Sequence, residues 1–201
     1  MSAKAPTDLA LTLATRLGVL RVRDATAHGI HPEVLRRLVA AGKMIKTGRG
    51  MYAAAVTDAS EHVSLAHAAA RVPHGVVCLL SALAYHGIGT QMPHEVWMMI
   101  DRRAHKPKVD QPPMRFVLAS GATLKNGIQK VTIDGRAVRV FDLAKTVVDC
   151  FRYRRHVGLE VALEALRESL RGRRCKPADI DRYATLCGVA TVVRPYLEAM
   201  A

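Results

Sequence analysis

Arg36 and Arg37, one turn into a helix opened by Pro32, and Arg49, set between Gly48 and Gly50, are the side chains best suited to gripping a polyanion. A guanidinium is planar and permanently charged. Its fork of donors fits a phosphate or the two acceptors on a guanine edge. Their spacing gives them access. Val34, Leu35, Leu38 and Val39 recur at helical intervals and predict a buried stripe, leaving Glu33, Arg36, Arg37 and Ala40 outward. Lys43 and Lys46 flank the glycine-bounded tip and read as phosphate contacts, and His31 stands just before the helix. His31, Arg36, Arg37, Lys43, Lys46 and Arg49 are therefore the candidate DNA contacts. A second basic set, Arg102, Arg103, Lys106, Lys108, Arg115, Arg136 and Arg139, lies further along as a candidate interaction surface.

Residue patterns for catalysis are missing where they would be needed. A restriction-type nuclease needs an acidic pair and a carboxylate followed two positions later by lysine to hold a metal and activate water, and none of the 17 Asp and Glu residues is followed in this way. There is no H-E-x-x-H, phosphate-binding glycine loop or G-x-S-x-G. His62 and His67, like Ser81 and His86, are five residues apart and do not share a helix face. Cys78, Cys150, Cys175 and Cys187 form no C-x-x-C pair and read as free thiols in a reducing compartment. No catalytic residue, metal or cofactor is expected.

The elements that carry the arginines read as three helices and a hairpin. Thr7 is placed to cap a first helix ending at Gly18, Val22–Ala27 make a second, and Pro32 opens a third that closes at Gly42. Gly29 supplies the turn between the last two, with Ile30 plugging the core. Two short strands, 43–47 and 51–54, then meet at Gly48-Arg49-Gly50. This is the pattern of a winged helix-turn-helix, in which the second helix of the pair enters the major groove. Thr57–Glu61 is the linker candidate, giving a DNA-binding domain over 1–56 and a C-terminal domain over 57–201.

In that second part, helices are expected over 63–71 and 81–86 around the apolar run 76–80, and strands over 95–101 and 115–118. A hairpin of 128–133 and 136–140 turns at Asp134-Gly135, a type I′ signal. Helices over 143–151, 159–170 and 177–186 complete an α+β chain: a winged helix-turn-helix, then a mixed α/β domain with a small sheet and a helical C-terminal half. Trp97 and the pair Met98-Met99 suit a buried strand better than a ligand pocket.

Charge points to the same partner class. Thirty Lys and Arg against 17 Asp and Glu give +13 over 201 residues. The excess concentrates in 1–56 (nine basic, three acidic) and 101–155 (thirteen basic, five acidic). Such a surface attracts a polyanion, because each neutralised phosphate releases condensed counterions. The longest apolar run, 76–84, is broken by Ser81, and the polar first residues are unlike a signal peptide. A cytoplasmic location without a membrane span is expected.

The run from Leu35 to Ile45 followed by Gly48-Arg49-Gly50-Met51-Tyr52 resembles the winged-helix domain of AbiEi-type antitoxins. Leu80–Ile88 is similar to the segment after that family's linker. Val138–Phe151, with Phe141-Asp142-Leu143-Ala144-Lys145-Thr146, resembles its R-T-L-x-D element, Lys145 standing where arginine is common. The resemblance implies an antitoxin of an abortive-infection toxin–antitoxin operon used in phage defence. The N-terminal domain would bind inverted repeats in promoter DNA and repress transcription. The C-terminal domain would counteract a nucleotidyltransferase-like toxin without needing a stable complex. The alternative is a ligand-sensing winged-helix repressor with no toxin partner.

Overall fold

The computed structural model describes residues 5–55, 62–109 and 111–200; the linker candidate 57–61 lies outside them. The chain packs as two compact units: Met1–Pro73 with Val109–Pro112 and Val131–Val138, and His74–Lys108 with Pro113–Lys130 and Arg139–Ala201.

In the first unit the order is α1 (Pro6–Leu17), β1 (Leu20–Arg21), α2 (Val22–Ala27), α3 (Pro32–Ala40), β2 (Met44–Gly48), β3 (Met51–Ala54) and α4 (Val63–Arg71). α1 starts one residue before Thr7, because Pro6, with its φ already helical, takes the first position, and Ala5 precedes it without a side-chain cap. The sheet order β1-β3-β2, antiparallel throughout, completes a winged helix-turn-helix. The strand β1 has no local sequence signal: two residues become a strand by pairing Leu20 with Tyr52 and Arg21 with Met51. Leu13, Leu20, Ile30, Leu35, Leu38, Met44 and Tyr52 fill the core, with Ile30 only 1% exposed.

The second unit carries β4 (Val76–Val77), α5 (Leu79–Tyr85), β5 (Val96–Asp101), β6 (Met114–Ala119), α6 (Ala122–Lys125), the start of β7 (Ile128–Ile133) and the end of β8 (Arg136–Phe141), whose hairpin tip Val131–Val138 is counted in the first unit, then α7 (Leu143–Arg152), α8 (Arg154–Val157), α9 (Leu159–Arg171), α10 (Pro177–Leu186) and α11 (Ala190–Met200). The sheet order is β6-β5-β4-β8-β7, with β5–β6 and β4–β8 parallel and β4–β5 antiparallel. The mixed α+β class expected from sequence is what forms. Trp97, Met98 and Met99 are buried on β5, as expected of core residues.

Between β7 and β8, Asp134 and Gly135 both have positive φ (48° and 70°), the conformation of a type I′ turn. This turn is packed inside the first unit. A Cβ at Gly135 would lie 2.0 Å from the Arg16 carbonyl oxygen, and one at Gly18 would lie 2.4 Å from Asp134 Cβ. Gly135→Ala combines a disfavoured φ with a clash against backbone and should cost about 1–3 kcal/mol. A urea midpoint equal to that of the parent would show that the turn does not rest on Arg16.

Candidate nucleic-acid interface

α3 is held by both its ends. His31 is its N-cap, with extended backbone, and its Nδ1 accepts a hydrogen bond from the Glu33 amide at 3.2 Å. Pro32 occupies the first turn, where its missing N–H costs nothing. Val34, Leu35 and Leu38 are buried, Val39 is half-buried, and Arg36 and Arg37 are exposed. Arg36 Nη1 lies 2.9 Å from Glu33 Oε2, with both side chains more than half exposed (71% and 55%). Such a pair contributes little to stability and can exchange for another anion at small cost.

The wing follows directly. The Lys43 amide donates to the Leu38 carbonyl, and the Lys43 carbonyl accepts from the Ala55 amide, both at 2.9 Å. Lys46 faces Tyr52 across the ladder, and the register shifts between Lys46 and Gly48, where a bulge bends the strand. Lys43, Lys46 and Arg49 are all exposed. Gly50, at φ 67°, turns the chain back. His31, too, is exposed, with Nδ1 committed to capping.

Beside the wing, the first unit holds a concentration of arginine of which Arg49 alone is a candidate from sequence. Arg21, Arg23, Arg49 and Arg71 line an open cavity of about 310 Å³ together with Val22, Gly50, Met51 and Ala70. The Arg71 guanidinium lies against Gly48 so closely that a Cβ there would sit 1.7 Å from Nη2. Arg21 is pushed below the ordinary arginine range by burial first and then by Arg23 and Arg136, Asp24 acting in the opposite sense. The one local signal was Arg21-Val22-Arg23; Arg71 joins them only through the fold.

Arg136 belongs to this unit and is no free surface cation. Its side chain is 14% exposed, ion-paired to Asp24 at 2.9 Å and bonded to the Val19 carbonyl. Burial raises the Asp24 carboxyl, but the hydrogen bond and charge of Arg136 outweigh it and hold it below its ordinary value. The rest of the second basic set lies in the other unit. Arg102, Arg103, Lys106 and Lys108 are exposed. Arg102 and Arg103 join Asp101, Ser120, Gly121 and Lys125 around a cavity of about 380 Å³. Arg115 pairs with Glu95 at 3.3 Å and stacks over Trp97 at 4.6 Å, and Arg139 Nη1 donates to the His74 carbonyl at 2.8 Å.

The Phe141–Asp149 stretch proves to be a folding element. Asp142 caps α7 by accepting from the Lys145 amide at 2.8 Å, and its other oxygen accepts from the Tyr183 hydroxyl at 2.6 Å. Burial, reinforced by that carboxylate, pushes the Tyr183 hydroxyl up to about 12. Thr146 Oγ1 donates to the Asp142 carbonyl. Lys145 and Asp149, one turn apart and both fully buried, form an ion pair at 2.5 Å. Each offsets the cost of burying the other, and the Phe141 ring, 4.3 Å from Lys145 Nζ, adds to this. Next to it, His86, Gln129, Asp142, Arg174, Cys175 and Tyr183 border a polar cavity of about 370 Å³.

Cys78, Cys150 and Cys187 are buried, and burial raises the thiols of all four cysteines, away from the reactive thiolate. Among the described residues no group of three His, Cys, Asp or Glu could hold a metal ion, and no helix is long and apolar enough to cross a membrane.

No curated protein matches the chain. Among solved structures, the RV2827C protein from Mycobacterium tuberculosis is similar in fold, with a TM-score of 0.60 at 11% identity, over 100% of this chain and 84% of that one. The likeness read from the helix and wing is borne out over that segment: residues 8–55 match the model of a family described as transcriptional regulator, AbiEi antitoxin.

Proposed function

We propose that this protein is an antitoxin and transcriptional regulator, without enzymatic activity, acting in the cytoplasm. In this reading residues 1–56 form the DNA-binding domain. They bind inverted repeats in the promoter of the protein's own operon and repress it. The remainder, 57–201, counteracts a nucleotidyltransferase-like toxin in abortive infection, with Arg102, Arg103, Lys106 and Lys108 as the candidate surface. The observation that carries the reading is the exposure of Arg36 and Arg37 on α3, followed in the same unit by an exposed Arg49 at the wing tip. Arg36 and Arg37 read base edges, while Lys43, Lys46, Arg49 and the outer face of His31 hold phosphates and fix the register.

The test is a footprint of the purified protein on its own upstream region. Two protected half-sites about one helical turn apart would support a dimer of winged helices, and uniform protection of any sequence would refute operator recognition. Arg49→Ala should weaken binding by about 1–2 kcal/mol and shallow the salt dependence by about one unit of slope, as for one lost phosphate contact. An anisotropy titration over a range of salt reads both, and an unaltered slope would take Arg49 off the DNA.

A ligand-sensing repressor is the second reading, and the polar cavity around Asp142 and Tyr183 is the observation that favours it. A neighbouring nucleotidyltransferase-like gene speaks for the antitoxin; a metabolic or efflux gene speaks for the sensor.

A further inference from the structure

We propose that the cavity lined by Arg21, Arg23, Arg49 and Arg71 is a binding site for a phosphate group. Among the described residues, four arginines and no carboxylate line it. Like charges gathered in this way repel, an anion among them relieves the repulsion, and the Asp24 carboxylate beside them is already shared with Arg136. Asp24 lies 2.9 Å from Arg136 and only 3.5 Å from Arg23, whose side chain remains 72% exposed. The lowering of Arg21 by its neighbours is the same crowding seen from one of its members.

Arg71 supplies the second observation. Its Nε is buried, and no acceptor among the described residues meets it. A buried donor without a partner is costly, and an oxyanion entering the cavity would satisfy it. The glycine at position 48 is what lets this guanidinium lie against the wing. Four arginines lining one space suit a tetrahedral oxyanion with several acceptor oxygens, to which charge-assisted bonds are strongest. A space of about 310 Å³ admits orthophosphate or pyrophosphate with room for water.

Two sources offer this chemistry: a backbone phosphate of the duplex held by the wing, or a free phosphorylated small molecule. The first rests on the DNA reading above; the second does not. The experiment uses the full chain and two variants. Arg71→Gln removes the orphaned charge. Gly48→Ala keeps every charge and displaces only the flexible end of Arg71. Thermal melting followed by circular dichroism establishes that both fold.

Inorganic pyrophosphate is titrated calorimetrically at fixed ionic strength against sulfate, and the salt dependence of duplex binding is measured in parallel. Saturable pyrophosphate binding, weakened about tenfold or more in both variants, establishes the site, that being the scale of one charge-assisted bond. If duplex affinity also falls and its salt slope drops by about one, the phosphate is the DNA's. If the duplex is bound as before, the ligand is a free phosphate compound. A lowered slope without pyrophosphate binding still supports the site, in its DNA form. Both variants matching the parent in pyrophosphate and duplex titrations overturns it. Loss of the DNA reading through Arg36 and Arg37 would leave the pyrophosphate arm standing.

Discussion

Alanine at both Arg36 and Arg37 is expected to abolish discrimination between the protein's own upstream duplex and a scrambled one, while the melting temperature stays put. A guanidinium paired with a base edge contributes about 1–3 kcal/mol of discrimination, so losing two removes about 2–6 kcal/mol. That is comparable to the whole margin of about 4–10 kcal/mol by which such proteins prefer their site. Non-specific binding should persist, since Lys43, Lys46 and Arg49 remain exposed on the wing. The fold is untouched because both side chains point away from Val34, Leu35 and Leu38, and only the exposed pair of Arg36 with Glu33 is lost. Gel-shift titrations on the two duplexes decide it. A double variant that still prefers its own sequence would mean that α3 does not read DNA.

The second large effect is on stability. Asp149→Ala leaves Lys145 charged, fully buried and without its partner, which should cost about 3–5 kcal/mol. Replacing both members by apolar residues, Lys145→Met with Asp149→Leu, should be near neutral, because the attraction and the desolvation it offsets disappear together. A double variant as unstable as the single one would show that the pair does more than compensate itself.

The acid side of the same pair gives a pH signature. Burial raises the Asp149 carboxyl to about 6 against the pull of Lys145. Its folded value thus exceeds the unfolded 3.8, so the folded form binds more protons between them. Its contribution to stability is full below about pH 4 and is lost as pH rises through about 6. Asp149→Asn should flatten the dependence of the urea midpoint over that window.

The legible parts of this chain were those written in short-range pattern. The Val34-Leu35-Leu38 stripe placed α3, which Pro32 opens as expected and which ends at Ala40, just short of the expected Gly42, and Asp134-Gly135 announced its turn, because helix periodicity and positive φ are local properties. β1 was not legible, since two residues acquire strand character only from Tyr52 and Met51 thirty positions away. α11 also went unread: Pro195 inside Ala190–Met200 argues locally against a helix, while burial of Val193 and Leu197 favours it. The same limit applied to charge. Arg36, Arg37 and Arg49 could be located from their neighbours. Arg136 could not be told from a solvated cation, because its partner Asp24 is 112 residues away. Arg71 likewise finds its place over Gly48 through tertiary packing, so the arginine cavity was invisible until the chain was folded.

The turn at Asp134-Gly135 has a practical consequence. A polar two-residue hairpin tip is normally where a fluorescent label, an epitope or a new terminus is added, since loop tips tolerate such changes. Here the tip is wedged against the backbone of residues 16–18. A graft at that point would strike the groundwork of the helix bundle rather than hang in solvent, and protein engineers should look elsewhere for an insertion site.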